Sequence, residues 1–326
     1  MTARTDDPFD PQVVGPWRIG AGPRGVLLLH GFAGTAPELR RLGEALAATG
    51  WRCHGPLLAG HGTTPEELDR TVWEDWAASA EEALDELRAE CDEVAVAGQS
   101  GGGSLALHLA ANHPEIVAVA CLATPVWLSG WKPRLLPVGK HVVRWDRPGD
   151  DVDLYRLAGV EELWSYGRRS TRSIHEFARL LAYVRDELVS VRAPVLICHG
   201  ERDRVIDPAN AAEIERRLLC SAAVERRMLP RSGHGISVDV DRDDVNRLVL
   251  DWFDKFSRSG HSGRPPATTG PTEPRPAGWT VPRTAGSTTP RTLESPVPRS
   301  SAPAASRSSA PAGSQGSGSA ASPPRA

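Results

Sequence analysis

The sequence predicts an α/β fold: a mostly parallel central sheet with helices on both faces, an inserted and largely helical cap, and a disordered C-terminal tail. Three observations carry that expectation. Short apolar runs of strand length alternate with stretches of helical periodicity through most of the first 256 residues, the rhythm of a parallel sheet with crossover helices. The alternation breaks between about Pro125 and Arg192, where tryptophans, prolines and clustered arginines replace anything that reads as a central strand, and then resumes. From Ser257 onward the composition shifts: 13 of the 28 prolines fall in the last 70 positions, and Trp279, Val281, Leu293 and Val297 are the only sizeable apolar side chains. Such a segment buries too little surface to offset the entropy of ordering it. The expected organisation is one domain over 1–256, with the cap at about 125–192, and a Pro/Ser/Ala/Gly/Arg-rich tail over 257–326.

The elements follow in order. Gly25–His30 is a continuous apolar run ending in a glycine-containing turn, the pattern of a central buried strand. Thr35 with Glu38 three residues later reads as a capping box, and Leu39, Leu42 and Leu46 at helical spacing predict a helix to about Thr49. Trp51–Gly55 is the next strand. Between Trp73 and Glu90 one helical face collects Trp73, Trp76, Ala77, Ala80, Leu84 and Leu87. Glu93–Ala97 then reads as a strand, Gly102–Asn112 as a helix of small residues, and Ile116–Leu122 as a further buried strand. After the cap come a strand at Pro194–Cys198 and a helix opened by Asp207-Pro208 as N-cap and N1. A strand at Ala223–Leu229 and a closing helix at Asp241–Phe256 complete the body.

Charge and composition exclude several function classes. The formal net charge is −3, but eight Arg against two Glu leave the tail at +6 and the body at −9. An acidic body argues against nucleic acid as a partner, and singly spaced arginines read as a solvated linker. Five cysteines without a CxxC pair suit reduced, buried thiols and no zinc site. The acidic N-terminus has no apolar core of a secretory signal. Val117–Leu128, the richest apolar stretch, falls well short of the roughly 20 residues needed to span a bilayer. The expectation is a cytoplasmic protein with no transmembrane segment, metal or cofactor.

The chemistry concentrates in three loops. Gly98-Gln99-Ser100-Gly101-Gly102 matches GxSxG between an expected strand and an expected helix, the context in which a serine is held in a strained turn with its hydroxyl pushed clear of the sheet. A neutral serine needs a general base within hydrogen-bond reach, and the base needs an orienting group. Asp203, in His199-Gly200-Glu201-Arg202-Asp203, and His234, in Ser232-Gly233-His234-Gly235, follow expected strands in the order Ser, Asp, His. Singly, an Asp after a strand reads as a cap and a His in a glycine-rich loop as a solvated side chain; jointly they read as a triad. Acyl transfer also needs donors for an oxyanion. The N–H of Gly101, at a helix start, and the N–H of Phe32, in His30-Gly31-Phe32-Ala33-Gly34, are the candidates.

These residues carry a resemblance. Val13–Phe256 resembles the α/β-hydrolase superfamily and is similar to small bacterial carboxylesterases and monoacylglycerol lipases. The likeness rests on Val26-Leu27-Leu28-Leu29-His30-Gly31-Phe32-Ala33-Gly34, on Pro56–Gly62 leading into Pro65-Glu66-Glu67-Leu68, on Trp73-Glu74-Asp75-Trp76 and on the three loops above. It implies Ser100 as nucleophile, His234 as base, Asp203 as orienter, and Phe32 and Gly101 as oxyanion donors. The implied activity is hydrolysis of small-molecule carboxylic esters with apolar acyl chains. Gly101 departs from the bulky apolar residue often found after the serine in such enzymes, so a looser or wider site is expected there.

Other readings stay open at this level. A thioesterase or an aminopeptidase fits the same triad, the latter needing a cap carboxylate for a substrate ammonium; Asp150, Asp151, Asp153, Glu161 and Glu162 are candidates by sequence proximity, with solvated acids as the plainer reading. A non-catalytic binding protein on the same fold is the alternative from another class. Trp127, Trp131, Trp145 and Trp164 read as packing more than as pocket lining. His61 reads as support for its loop, Asp207 as a helix cap, and Asp239 as a first-turn residue of the last helix. The oligomeric state is left open.

Overall fold

In the computed structural model, residues 4–5, 10–130, 132–147, 153–155 and 163–258 are described. They fall within one compact unit, Met1–Pro266; the second unit, Ala267–Ala326, lies outside the described residues. Seven strands form the main sheet: β1 (Trp17–Ile19), β2 (Arg24–Leu29), β3 (Trp51–Gly55), β4 (Glu93–Gln99), β5 (Val119–Leu122), β6 (Val195–Gly200) and β7 (Val224–Leu229). Their spatial order is β7-β6-β5-β4-β2-β3-β1. Every neighbouring pair is parallel except β1 with β3. The chain winds outward from β2 through β3 and then returns to the other side of β2 with β4. That reversal opens a crevice at the carboxyl ends of β2 and β4, where doubly wound sheets bind ligands.

Alternation along β2 explains the two cores. Leu27 and Leu29 join one buried cluster and Val26 and Leu28 the other, because successive side chains of a strand point to opposite faces. On the first face lie α2 (Trp73–Glu90), α3 (Gly101–Asn112), α5 (Thr171–Glu187) and α6 (Ala209–Arg217); on the second lie α1 (Arg40–Ala47) and α7 (Arg242–Phe256). A further helix, α4 (Lys132–Gly139), belongs to the cap. Within α5, Phe177, Leu180, Leu181 and Val184 are buried at helical spacing. This cap helix is therefore a buttress of the body, packed against α3.

Most sequence-derived boundaries differ from the structure by only a few residues; two expectations change. Thr35 makes no side-chain capping bond. The segment Ala36–Leu39 is a 3-10 turn, and α1 begins only at Arg40. Glu38 is buried and bonded elsewhere, as described below, so tertiary partners override the local capping pattern. The second change concerns the expected tail. Ser257 is buried, and its hydroxyl donates to Glu93 Oε1 while Arg258 N donates to Glu93 Oε2 at 2.8 Å. The described fold thus runs two residues past the expected boundary because a buried carboxylate at the start of β4 needs donors. Residues 259–326 lie outside the described residues, as do cap residues 131, 148–152 and 156–162. No helix among the described residues is long and apolar enough to cross a membrane.

Truncation tests the revised boundary. A chain ending at Phe256 is expected to be less stable than one ending at Arg258 by about 1–3 kcal/mol, the cost of leaving a buried carboxylate short of donors. Midpoints of urea unfolding for the two truncations check it, and equal midpoints would show that the Glu93 contacts contribute nothing.

Candidate active site

Ser100 sits at φ 52°, ψ −122°, between the last residue of β4 and the first of α3. For a residue with a Cβ this conformation is strained. It persists because the backbone closes tightly around it. A Cβ on Gly98 would lie 2.2 Å from the Gly102 carbonyl, and one on Gly102 would lie 2.0 Å from the Leu29 oxygen. Only glycine allows α3 to start against the end of β2, and that approach turns the Ser100 side chain toward the crevice.

The loops at the strand ends meet there. Asp203 follows β6 and is buried. Its Oδ1 accepts the N–H groups of Val205 and Ile206 at 2.9 and 2.8 Å, and its Oδ2 faces His234 Nδ1 at 2.9 Å. His234 lies in the loop after β7 and, with Ser100, lines one cavity of about 750 Å³. Burial alone would raise the Asp203 pKa, but the His234 charge and hydrogen bonds from His199, His234 and Ile206 outweigh it and hold the carboxyl well below the usual range. Burial alone would lower His234; the charge and hydrogen bond of Asp203, then the charges of Glu38 and Asp153, raise it above 6.5 instead.

The Phe32 loop reaches the same point. A Cβ on Gly31 would lie 3.3 Å from the Ser100 Cβ, and the Phe32 nitrogen lies 3.0 Å from where a Cβ on Gly101 would stand. His30 anchors the loop: its Nε2 accepts the Leu58 N–H at 3.1 Å and its Nδ1–H donates to the Gly31 carbonyl at 3.0 Å. Burial drives its pKa down to about 4, so this ring is a neutral strut. His61 is buried beside it with a pKa lowered by burial to about 3, in keeping with loop support.

Several side chains that sequence reasoning left aside hold these loops together. Glu38 accepts the Gly31 N–H at 2.8 Å through Oε2 and the Gln99 side-chain amide through Oε1. Gln99 Oε1 in turn accepts the Ser237 N–H at 3.1 Å, and Ser237 Oγ donates to the Glu38 carbonyl at 3.1 Å. One buried chain of bonds therefore ties the Phe32 loop, the Ser100 turn and the His234 loop. Burial raises the Glu38 pKa, opposed by the Gly31 bond, the His234 charge and the Gln99 bond. The local spacing Thr35-x-x-Glu38 concealed this role by imitating a cap.

The cap contributes as well. Asp153 is buried rather than solvated. It accepts the His234 N–H at 3.1 Å and the N–H and Nε of Arg204 at 2.8 and 3.0 Å, so it braces the histidine loop and is already paired with a cation. Asp150, Asp151, Glu161 and Glu162 lie outside the described residues. Asp239 is fully buried and accepts the Gly233 and Tyr155 N–H groups, both at 2.8 Å; it too fixes the histidine loop instead of opening α7. Asp207 caps: its carboxylate accepts the Ala209 N–H at 2.9 Å.

Among the tryptophans, Trp164 lines the cavity, Trp127 packs on the core and Trp145 lies under the Arg144 and Arg168 guanidinium groups. Trp131 lies outside the described residues. The expected widening at Gly101 is absent. A Cβ there would meet Phe177 at 3.0 Å, and the Phe177 ring stacks on Phe32 with centroids 4.7 Å apart. A cap side chain fills the space that the residue after the serine leaves empty.

Residues 23–241 match the family described as serine aminopeptidase, S33. The chain belongs to that S33 family. The chain is 34% identical over 242 residues to a thermostable monoacylglycerol lipase of Bacillus sp. (strain H-257), covering 74% of this chain and 95% of that one. A carboxylesterase of Bacillus subtilis (strain 168) is 26% identical over 243 residues, with coverage of 74% and 96%. A solved structure of the metagenome-derived lipolytic enzymes LipS and LipT superposes with a TM-score of 0.70 at 26% identity, covering 74% and 98%. The yeast monoglyceride lipase from Saccharomyces cerevisiae shares the fold at TM-score 0.64 and 20% identity, with coverage of 74% and 91%. This S33 chain is a serine hydrolase of the α/β type, similar to esterases and monoacylglycerol lipases.

The packing at the turn makes a sharp comparison. Gly102→Ala is expected to cost at least about 2 kcal/mol, because its neighbours are backbone atoms that cannot move aside. Gly139→Ala, with open space around it, should stay within about 0.5 kcal/mol of wild type. Thermal and urea unfolding of both variants check this; equal stabilities would mean that α3 and β2 can separate freely.

Proposed function

We propose that the protein hydrolyses carboxylic esters with apolar acyl chains, monoacylglycerol-like esters among them, through an acyl-enzyme on Ser100. The observation that supports this most is the Asp203–His234 pair, bonded at 2.9 Å and opening onto the cavity that Ser100 also lines. In this reading His234 takes the Ser100 proton as the hydroxyl attacks the ester carbonyl, while Asp203 holds the ring with Nε2 toward the serine. The developing oxyanion is received by the N–H groups of Phe32 and Gly101. His234 then protonates the leaving alcohol. Water, deprotonated by the same ring, releases the acid and restores Ser100.

The cavity supports the acyl preference. Leu128, Leu136, Leu154, Leu163, Ile174 and Ile206 line it beside Phe177, an apolar surface that gains from each methylene it buries. Asp153 is committed to His234 and Arg204, so it offers no free carboxylate for a substrate ammonium. That weighs against Asp153 as the anchor of a substrate ammonium, and leaves Asp146 as the other cap carboxylate among the described residues that lines the cavity.

Hydrolysis of p-nitrophenyl esters of increasing acyl length tests the reading. kcat/KM is expected to rise about fourfold per added methylene, the equivalent of roughly 0.8 kcal/mol each, until the cavity is filled. Ser100→Ala should abolish turnover, and Asp203→Asn should lower kcat about a thousandfold or more. Ester hydrolysis that survives Ser100→Ala would overturn the proposal. The pH profile is a second check. The base must be neutral, and His234 is held above 6.5, so kcat/KM should fall as pH drops through a limb lying above 6.5. A limb well below that value would show that Asp203, Glu38 and Asp153 do not act on the ring as described.

A further inference from the structure

A second imidazole shares the carboxylate that faces His234. His199, in β6, is fully buried. Its Nε2 lies 3.0 Å from Asp203 Oδ2, the same oxygen that faces His234 Nδ1 at 2.9 Å. The other polar atom near Nε2 is the Ile206 carbonyl oxygen at 3.4 Å. Both neighbours are acceptors, so this nitrogen carries the hydrogen. Nδ1 is buried with no hydrogen-bond partner, and the ring therefore engages its surroundings through Nε2 alone. A residue needed only to fill space would not carry that unpaired nitrogen, since an apolar side chain fills the same volume without leaving a polar atom unsatisfied.

We propose that His199 is a positioning residue for the Asp203–His234 pair: by donating Nε2–H to Asp203 Oδ2 it fixes the oxygen that orients His234, draws off part of its charge, and so sets the pH at which His234 becomes a base. This rests on the assignment of Ser100, Asp203 and His234 above. Asp203 Oδ1 is held by two backbone N–H groups, and Oδ2 by the two rings. Removing the His199 donor leaves the charge on Oδ2 to His234 alone. The imidazolium is then favoured more strongly, and the carboxylate loses one of the contacts that stop it turning. The other charges that face His234 are Glu38 from the segment after β2 and Asp153 from the cap, the latter paired with Arg204. None of them is altered by a change at position 199, so a shift would report the His199 bond.

The test compares His199→Gln, whose amide nitrogen reaches the place of Nε2, with His199→Asn, which is too short, and His199→Met, which has no donor. Each is made in the full chain and assayed with p-nitrophenyl butyrate across pH, beside wild type and Ser100→Ala. The imidazole titration of His234 is also followed by NMR in a Ser100→Ala background. The Gln variant should keep the wild-type limb. The Asn and Met variants should move the acid limb and the His234 titration upward by about half a pH unit, with kcat down about tenfold and KM little changed. Unshifted Asn and Met variants, or a Gln variant shifted as far as Met, would overturn the proposal. If Met does not fold, the Gln and Asn pair decides alone. Absence of Ser100-dependent hydrolysis in wild type would instead overturn the functional reading, and the NMR titration would still judge the His199 bond.

Discussion

The contact between the start of α3 and the end of β2 is the constraint on which the site depends. A Cβ on Gly102 would lie 2.0 and 2.5 Å from the Leu29 and His30 oxygens, and this close approach of the two backbones holds Ser100 in a conformation that most residues avoid. The strain is held because both partners are rigid: β2 lies between β3 and β4 in the sheet, and α3 is buried along most of its length. Without that approach the serine would lie along the helix start, and the Phe32 loop, which leaves β2 beside the same carbonyls, would have nothing to face.

Around this contact the loops are joined by buried polar bonds. Glu38, Gln99 and Ser237 connect three strand ends, while Asp153 and Asp239 hold the backbone of the His234 loop from the cap and from the approach to α7. Each carboxylate is surrounded by donors, as burial demands, so each loop position is set by more than one bond. Phe177 adds an apolar counterpart by stacking on Phe32 beside Gly101. The cap is therefore part of the site in two senses, since it walls the cavity and it positions the loops that open onto it.

Local signals made much of this legible. Strands with continuous apolar runs and helices with one apolar face announce themselves, and GxSxG between a strand and a helix is short-range information that the sequence holds entirely. Glu38, Asp153 and Asp239 were not legible because each has a partner distant in the chain. Glu38 reaches Gln99 across 61 residues and Asp153 reaches His234 across 81. A buried carboxylate looks like a cap or a solvated acid until the backbone amides that satisfy it are in place. His199 illustrates the same point, for nothing in Cys198-His199-Gly200 distinguishes a ring aimed at Asp203 from an ordinary strand residue.

The class of fold, the three loops that carry Ser100, Asp203 and His234, and the glycines that let the turn at Ser100 close are legible in the chain alone, because each is written in spacing and residue type over a few neighbouring positions. That Asp203 Oδ2 faces two histidines, that Phe177 occupies the space beside Gly101, and that the described body continues to Arg258 emerges once the chain is packed. Those outcomes depend on which buried group finds which donor or which void once the strands are aligned, and such pairings follow from three-dimensional proximity, which chain order does not encode.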